Sequence, residues 1–305
     1  MNKILQYLFF TVIFLITSCN SSNITANYIV SSLPLQMILQ EIVGTVGKVE
    51  YIVPVGASPH TYSPKPSDAM KVSKATAFFY VSNQMDGWAN NFAVKNKIEV
   101  IKLIPKNMLL LKSKFNVTHN DEVDDNTHAK SEDNDYIDYD SHFWTDPVVV
   151  QSLVKNLIDT LSKIDPQNAN LYKSNGEAFI KKLDVLDKQV ANLLQNIKDK
   201  PIFLFHPSFL YLINRYHLTY GGSIERNPGQ EASPKFLYDI IEKIKKSGVK
   251  AIFSEPQLPD KPAKIIADQA VVNVYLLDPI GGQNNRMNYN DFLLYNVNKL
   301  KEALE

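Results

Sequence analysis

Short apolar runs alternate with segments of helical periodicity along most of this chain, and this alternation constrains the fold more than any other feature. Strands that alternate with helices indicate βαβ units and a parallel sheet. In the first half of the chain, the predicted strands and helices occupy residues 28–31, 35–46, 49–55, 67–74, 77–81 and 98–103. The first half therefore predicts an α/β lobe.

A long helix is predicted near the middle of the chain, and the same alternation begins again after it. From Pro166 to about Lys198, apolar residues recur mostly at spacings of three and four. Some thirty residues at a rise of 1.5 Å span roughly 45 Å, which is longer than one lobe requires. The second series of elements occupies residues 202–205, 208–217, 235–246, 251–254, 263–269, 272–277 and 291–304. We therefore expect two α/β lobes bridged by a stiff helix.

The N-terminal sequence is typical of an export signal. Lys3 precedes an apolar run, Ile4–Ile16, which is shorter than the ~20 residues of a membrane span and has the length of a signal-peptide core. Residues 16–19, Ile-Thr-Ser-Cys, resemble a bacterial lipobox, which implies cleavage before Cys19 and its lipidation. Cys19 is the only cysteine, so it can form no internal disulfide. The alternative is an ordinary signal peptide with an incidental cysteine.

One segment departs from the alternation. Residues 112–140 contain nine acidic residues against three lysines, together with His119 and His128, and lack apolar periodicity. This composition predicts an acidic, mobile surface loop. The two histidines and nearby carboxylates are candidates for a secondary metal-scavenging site, and a purely solvated loop is the alternative.

The chain thus divides into five parts, and its charge excludes one class of partner. Lys plus Arg number 32 and Asp plus Glu number 32, so no overall positive charge attracts nucleic acid. The predicted parts are a lipoprotein signal peptide (1–18), a lipidated tether (19–27), an N-terminal α/β lobe (28–165), a linker helix (166–199) and a C-terminal α/β lobe (200–305).

Metal-ligating side chains recur where strands end or where loops lead into helices. In open α/β sheets, ligands bind in the crevice at the carboxyl ends of the strands. Three imidazoles and one carboxylate make a four-coordinate set that suits Zn²⁺. Each residue also has an ordinary interpretation as a turn residue, and Asp278 could simply shape the turn into Gly281-Gly282. The candidates are His60, His142, His206 and Asp278.

The sequence around these four residues resembles the cluster A-I (cluster 9) solute-binding lipoproteins of metal ABC transporters. The resemblance covers nearly the whole mature chain, in order. It implies two Rossmann-like lobes joined by a rigid backbone helix, with the metal held by the four candidates in the interlobe cleft. The segments that carry it are GASPHTYSPKPSD (56–68), DSHFWTDP (140–147), FHPSFLYL (205–212), EASPK (231–235), GVKAIFSEPQ (248–257) and DPIGG (278–282).

The resemblance also implies a function and a location. A protein of this family captures a divalent metal at the periplasmic or cell-surface side, anchored to the membrane by lipid, and hands it to an ABC permease. It is not an enzyme, and we expect a monomer. In the family, a carboxylate at the third ligand position accompanies manganese; here that position is His206, which favours zinc. Manganese and iron remain alternatives.

Other functions and one further residue stay open. An envelope zinc hydrolase would keep three protein ligands and a bound water, but no HExxH helix or neighbouring general base is present. Lipid anchoring also permits an adhesin, although no motif specifies its partner. Glu255 either accepts a hydrogen bond from a ligand imidazole or merely begins the turn at Pro256.

Overall fold

Two parallel sheets of four strands form the framework of the protein in the computed structural model, which describes residues 26–115, 139–225 and 233–305. The predictions on Cys19, His119 and His128 lie outside the described residues. Among the described helices, none is both long enough and apolar enough to cross a membrane. The α/β class and the parallel pairing predicted from the sequence are confirmed.

The first sheet has the strand order β2-β1-β3-β4. The predicted strand at 98–103 is wrong in its second part, because Val100–Leu103 turns into a 3-10 helix and only three residues pair with β3. The strands are β1 Ala26–Val30, β2 Gly47–Tyr51, β3 Ala77–Tyr80 and β4 Lys97–Glu99, and the helices are α1 Leu33–Val43, α2 Pro66–Ser73 and α3 Asn83–Asp86.

Two helices then connect the lobes. Helix α4, Pro147–Ile164, is capped by the Asp146 carboxylate, which accepts a hydrogen bond from the Val148 N–H at 2.8 Å. Helix α5, Ala169–Leu194, packs along α4 and is shorter than predicted, because its first and last turns are 3-10 helices. Its 26 residues span about 39 Å.

The second sheet has the order β6-β5-β7-β8. Strand β6 was not predicted, because its sequence, Tyr-Gly-Gly-Ser, has low strand propensity. A side chain at Gly221 would meet the ring of Phe203 on β5, so this glycine permits the close approach of the two strands. The strands are β5 Ile202–Leu204, β6 Tyr220–Ser223, β7 Ala251–Ser254 and β8 Asn273–Leu276, and the helices are α6 Leu210–Arg215, α7 Pro234–Ser247, α8 Asp260–Ala270 and α9 Tyr289–Leu304.

The largest hydrophobic core is continuous from one lobe to the other. It contains Tyr28 of β1, Leu186 of α5 and Phe209 just before α6. The last helix, α9, belongs to the same core and packs on α5 and on α1. The two sheets are therefore held by shared apolar packing as well as by the connecting helices.

Candidate metal centre

Three histidines from distant parts of the sequence meet between the two sheets. His60 lies in the proline-rich loop between β2 and α2, His142 lies just before the 3-10 turn that precedes α4, and His206 follows β5. One nitrogen from each ring lies within 4.8 Å of the others. The sequence placed these residues at the ends of strands and at loop-to-helix junctions, and the structure brings all three together.

The distance between the Nε2 atoms of His60 and His142 fits two ligands of a tetrahedral ion. The Nε2 atoms of His60 and His142 are 3.3 Å apart. Zinc–nitrogen bonds of 2.0–2.1 Å at tetrahedral angles place neighbouring donors roughly 3.3–3.4 Å apart. The centroids of the three rings are 5.2–5.3 Å from one another. The three imidazoles are therefore arranged closely enough to share one ion.

His142 is oriented by a carboxylate two residues earlier. Its Nδ1 lies 2.7 Å from Oδ1 of Asp140, and both side chains are buried. A carboxylate that accepts from Nδ1–H leaves the lone pair on Nε2, the atom that faces His60. Asp140 was not predicted from the sequence, where its only signal is its place in the Asp-Ser-His motif.

The loop that carries His60 is held by polar contacts of its own. The indole of Trp88 donates to the carbonyl of Pro59 at 3.0 Å. The hydroxyl of Tyr62 donates to Asp68 at 2.8 Å, which ties the loop to the first turn of α2. Prolines in this stretch prevent a helix or strand, so these contacts define the position of His60.

Burial favours the neutral form of His60 and His206. Burial, followed by the charge of His142, holds the pKa of His60 well below its usual range. Burial also lowers the pKa of His206, and neither of its ring nitrogens has a hydrogen-bond partner among the described residues. Metal binding requires the neutral imidazole, so these side chains are ready to bind without releasing a proton at neutral pH.

Glu255 lines the same pocket as the three histidines. It follows β7 directly and is buried, with 7% of its surface exposed. Its Oε1 accepts a hydrogen bond from the Ser208 hydroxyl at 2.5 Å. Burial, together with the charges of Glu225 and Asp278, raises the pKa of Glu255 to about 8, although the hydrogen bond from Ser208 acts in the opposite direction.

Asp278 is not part of the histidine cluster. Its Oδ2 is paired with the Arg286 guanidinium at 2.7 Å. Its Oδ1 accepts from the Gln257 amide at 2.8 Å and from the Gly281 N–H at 2.9 Å. The structure thus leaves Asp278 outside the group of three imidazoles, with both carboxylate oxygens bonded to other partners.

His217 also lies apart from the cluster. It is exposed at the end of α6 with a φ of 54°, as expected for a histidine without a ligand role. Arg286, the partner of Asp278, was not identified from the sequence, because eight residues separate the two and no motif links them.

Comparison with known proteins identifies relatives over nearly the whole chain. The family model described as zinc-uptake complex component A, periplasmic (ZnuA) matches residues 29–303. The high-affinity zinc uptake system protein ZnuA of Brucella abortus is 31% identical over 309 aligned positions, covering 92% of each chain.

Solved structures agree with this comparison. A Zn(II)-bound variant of AdcAII from Streptococcus pneumoniae superimposes with a TM-score of 0.76 at 25% identity, covering 92% of this chain and 98% of that one. The laminin-binding protein Lmb of Streptococcus agalactiae, described as bifunctional with adhesin and metal-transporting activity, gives a TM-score of 0.73 at 26% identity, covering 92% and 99%.

Proposed function

The chain belongs to the ZnuA family of zinc-uptake components, and we propose that His60, His142 and His206 form the site at which it captures zinc. The protein is the extracytoplasmic binding component of an ABC transport system for zinc and is not an enzyme. The observation that carries the assignment of the site is the cluster of three imidazole nitrogens within 4.8 Å of one another.

The donor set supports zinc over the alternative metals. Imidazole nitrogen suits Zn²⁺, whereas Mn²⁺ prefers oxygen ligands. For a nitrogen-rich site, the affinity order of divalent metals also places zinc above manganese and iron. The hydrolase interpretation is excluded by membership of a family of binding proteins. Zinc is thus the cargo, which the protein must bind tightly and later release.

Substitution of one imidazole tests the site. We expect His142→Ala to weaken zinc binding at least about 100-fold, because it removes both a donor and the partner of Asp140. The measurement is a competition titration against a chelator of known zinc affinity. The matched control is His217→Ala, which removes an exposed histidine outside the cluster. Equal affinities for the two variants would contradict the proposal.

Delivery of the ion requires a membrane partner. We propose that the protein acts as a monomer and docks on an ABC permease, to which it transfers the zinc. The interlobe location of the histidines supports this, because separation of the lobes would open the site toward a partner that contacts both of them.

We further propose that Cys19 carries a lipid that anchors the protein to the membrane. The lipobox-like sequence at residues 16–19 supports this role. We expect Cys19→Ser to abolish incorporation of labelled fatty acid and to release the protein from the membrane fraction of expressing cells. Retention of the label by the Cys19→Ser protein would refute the anchor.

A further inference from the structure

Three imidazoles leave one position of a four-coordinate zinc ion to another ligand. Besides Asp140, which already contacts His142, the buried carboxylates near the pocket include Glu255, directly after β7, and Asp278, after β8. Only Glu255 is among the residues that line the pocket together with the histidines. Glu255 and Asp278 are the candidates to compensate the charge of the bound cation.

The carboxylate of Asp278 is hydrogen-bonded to groups of its own loop. Besides Arg286 and Gln257, the backbone N–H groups of Ile280 and Gly281 donate to its carboxylate. Its own N–H donates to Asn296 of α9 at 2.7 Å. Rotation toward the histidines would break these contacts and leave the buried Arg286 guanidinium without its counter-charge.

Glu255 has fewer partners than Asp278. Within the described part of the chain, its one hydrogen bond comes from a neutral donor, the Ser208 hydroxyl. Among the described residues, no Lys, Arg or His forms an ion pair with it. A buried carboxylate without a cationic partner is unfavourable unless a cation is bound nearby. A divalent ion held by the three histidines would supply that cation.

Ser208 links Glu255 to the histidine cluster. It lies two residues after His206, in the same turn, and its N–H donates to the His206 carbonyl at 2.8 Å. Ser208 is fully buried, so the hydroxyl has a fixed position from which to orient the carboxylate. One short turn thereby positions both an imidazole donor and a carboxyl group that lines the same pocket.

We propose that Glu255 supplies the carboxylate that faces the zinc ion and determines the affinity of the site, and that Asp278 instead stabilises the loop between β8 and α9. This inference rests on the proposed function, because it takes the three histidines as the zinc donors. Glu255 carries the charge, and Ser208 positions it.

The test compares neutral, nearly isosteric variants of the two carboxylates in the full mature chain. We expect Glu255→Gln to weaken zinc binding by about tenfold or more, measured by chelator competition at pH 7.5. The visible absorption of the Co²⁺-loaded protein, which reports the ligands around the metal, should change in the same variant. Glu255→Asp, which keeps the charge, should recover part of the affinity.

Asp278→Asn should behave in the opposite way. We expect it to lower the melting temperature of the metal-free protein, while the folded fraction binds zinc within about threefold of the wild type and keeps the Co²⁺ spectrum. The half-buried Glu242→Gln is the control for loss of a carboxylate elsewhere, since Glu242 lies on α7 and forms its ion pair with Lys245.

Two results would overturn the inference. One is zinc affinity of Glu255→Gln within threefold of the wild type. The other is a folded Asp278→Asn protein with the larger loss of affinity and an altered Co²⁺ spectrum. Failure of the proposed function itself looks different, because His142→Ala would then also leave zinc binding unchanged. If Glu255→Gln folds poorly, Ser208→Ala is the second variant, and unchanged affinity in that variant would also count against the inference.

Discussion

At the scale of single residues, the candidate site depends on which polar groups have partners. His142 receives its orientation from Asp140, whereas the ring nitrogens of His206 have no partner among the described residues. Asp278 and Glu255 are both buried carboxylates that follow strands, but among the residues that the structure describes only Asp278 has a cationic partner. Two buried carboxylates that both follow strands therefore differ in whether a cationic side chain balances their charge.

The shifted imidazoles predict how stability depends on pH. In the unfolded chain a histidine has a pKa of about 6.5, and burial places the pKa values of His60 and His206 well below that in the folded protein. As the pH falls, the unfolded state takes up protons first. The stabilising contribution is therefore complete above about pH 6.5 and is lost as the pH falls from there to the folded values.

We expect denaturant unfolding of the metal-free protein to show this loss between pH 7 and pH 5.5. The double variant His60→Asn, His206→Asn should show a smaller loss over the same interval, because asparagine does not titrate. His217→Asn is the control. If the double variant loses as much stability as the wild type, burial of the two histidines does not contribute to the pH dependence.

At the scale of elements, the loops that follow strands carry the site, and short-range chemistry sets where the neighbouring helices begin. Pro147 occupies the first turn of α4 and Asp146 caps it. Strand β6 was missed, because Gly221 is explained by close contact with Phe203 and not by local propensity. Local signals thus locate helix starts better than they locate strands that depend on a neighbour.

The cap of α4 gives a prediction for stability. Asp146→Ala should destabilise the protein by about 1–2 kcal/mol, because the N–H groups of Val148 and Val149 lose their acceptor. Asp146→Asn retains an acceptor and should lose less. Thermal unfolding of the metal-free protein at pH 7.5 measures the difference, and a melting temperature of Asp146→Ala equal to that of the wild type would show that the cap does not contribute.

At the scale of the whole molecule, polar contacts join the two lobes in addition to their shared apolar core. The segment that precedes residue 116 reaches the C-terminal lobe, where the Tyr211 hydroxyl accepts from the Leu110 N–H at 3.0 Å. Near the histidines, the Trp144 indole donates to the Pro279 carbonyl at 2.7 Å. Together with the shared core, these contacts hold the lobes in the arrangement that brings the histidines together.

Removal of one such contact should weaken the whole fold. Tyr211→Phe leaves the buried N–H of Leu110 without its acceptor, which we expect to cost about 1–3 kcal/mol. Denaturant unfolding of the metal-free protein measures this loss. Tyr238→Phe, at a side chain that is 65% exposed, is the matched control. Equal stabilities of the two variants would show that the contact between the lobes is energetically unimportant.

The sequence by itself predicted the two α/β lobes and singled out the three histidines as candidates, because these depend on periodicity and on motifs of adjacent residues. Only the tertiary structure decided the partners of the two carboxylates. Asp278 is paired with Arg286, and Glu255 lines the pocket with the histidines. Such pairings depend on how loops that are distant in the sequence pack together. The local sequence therefore does not reveal which buried charged group has a partner.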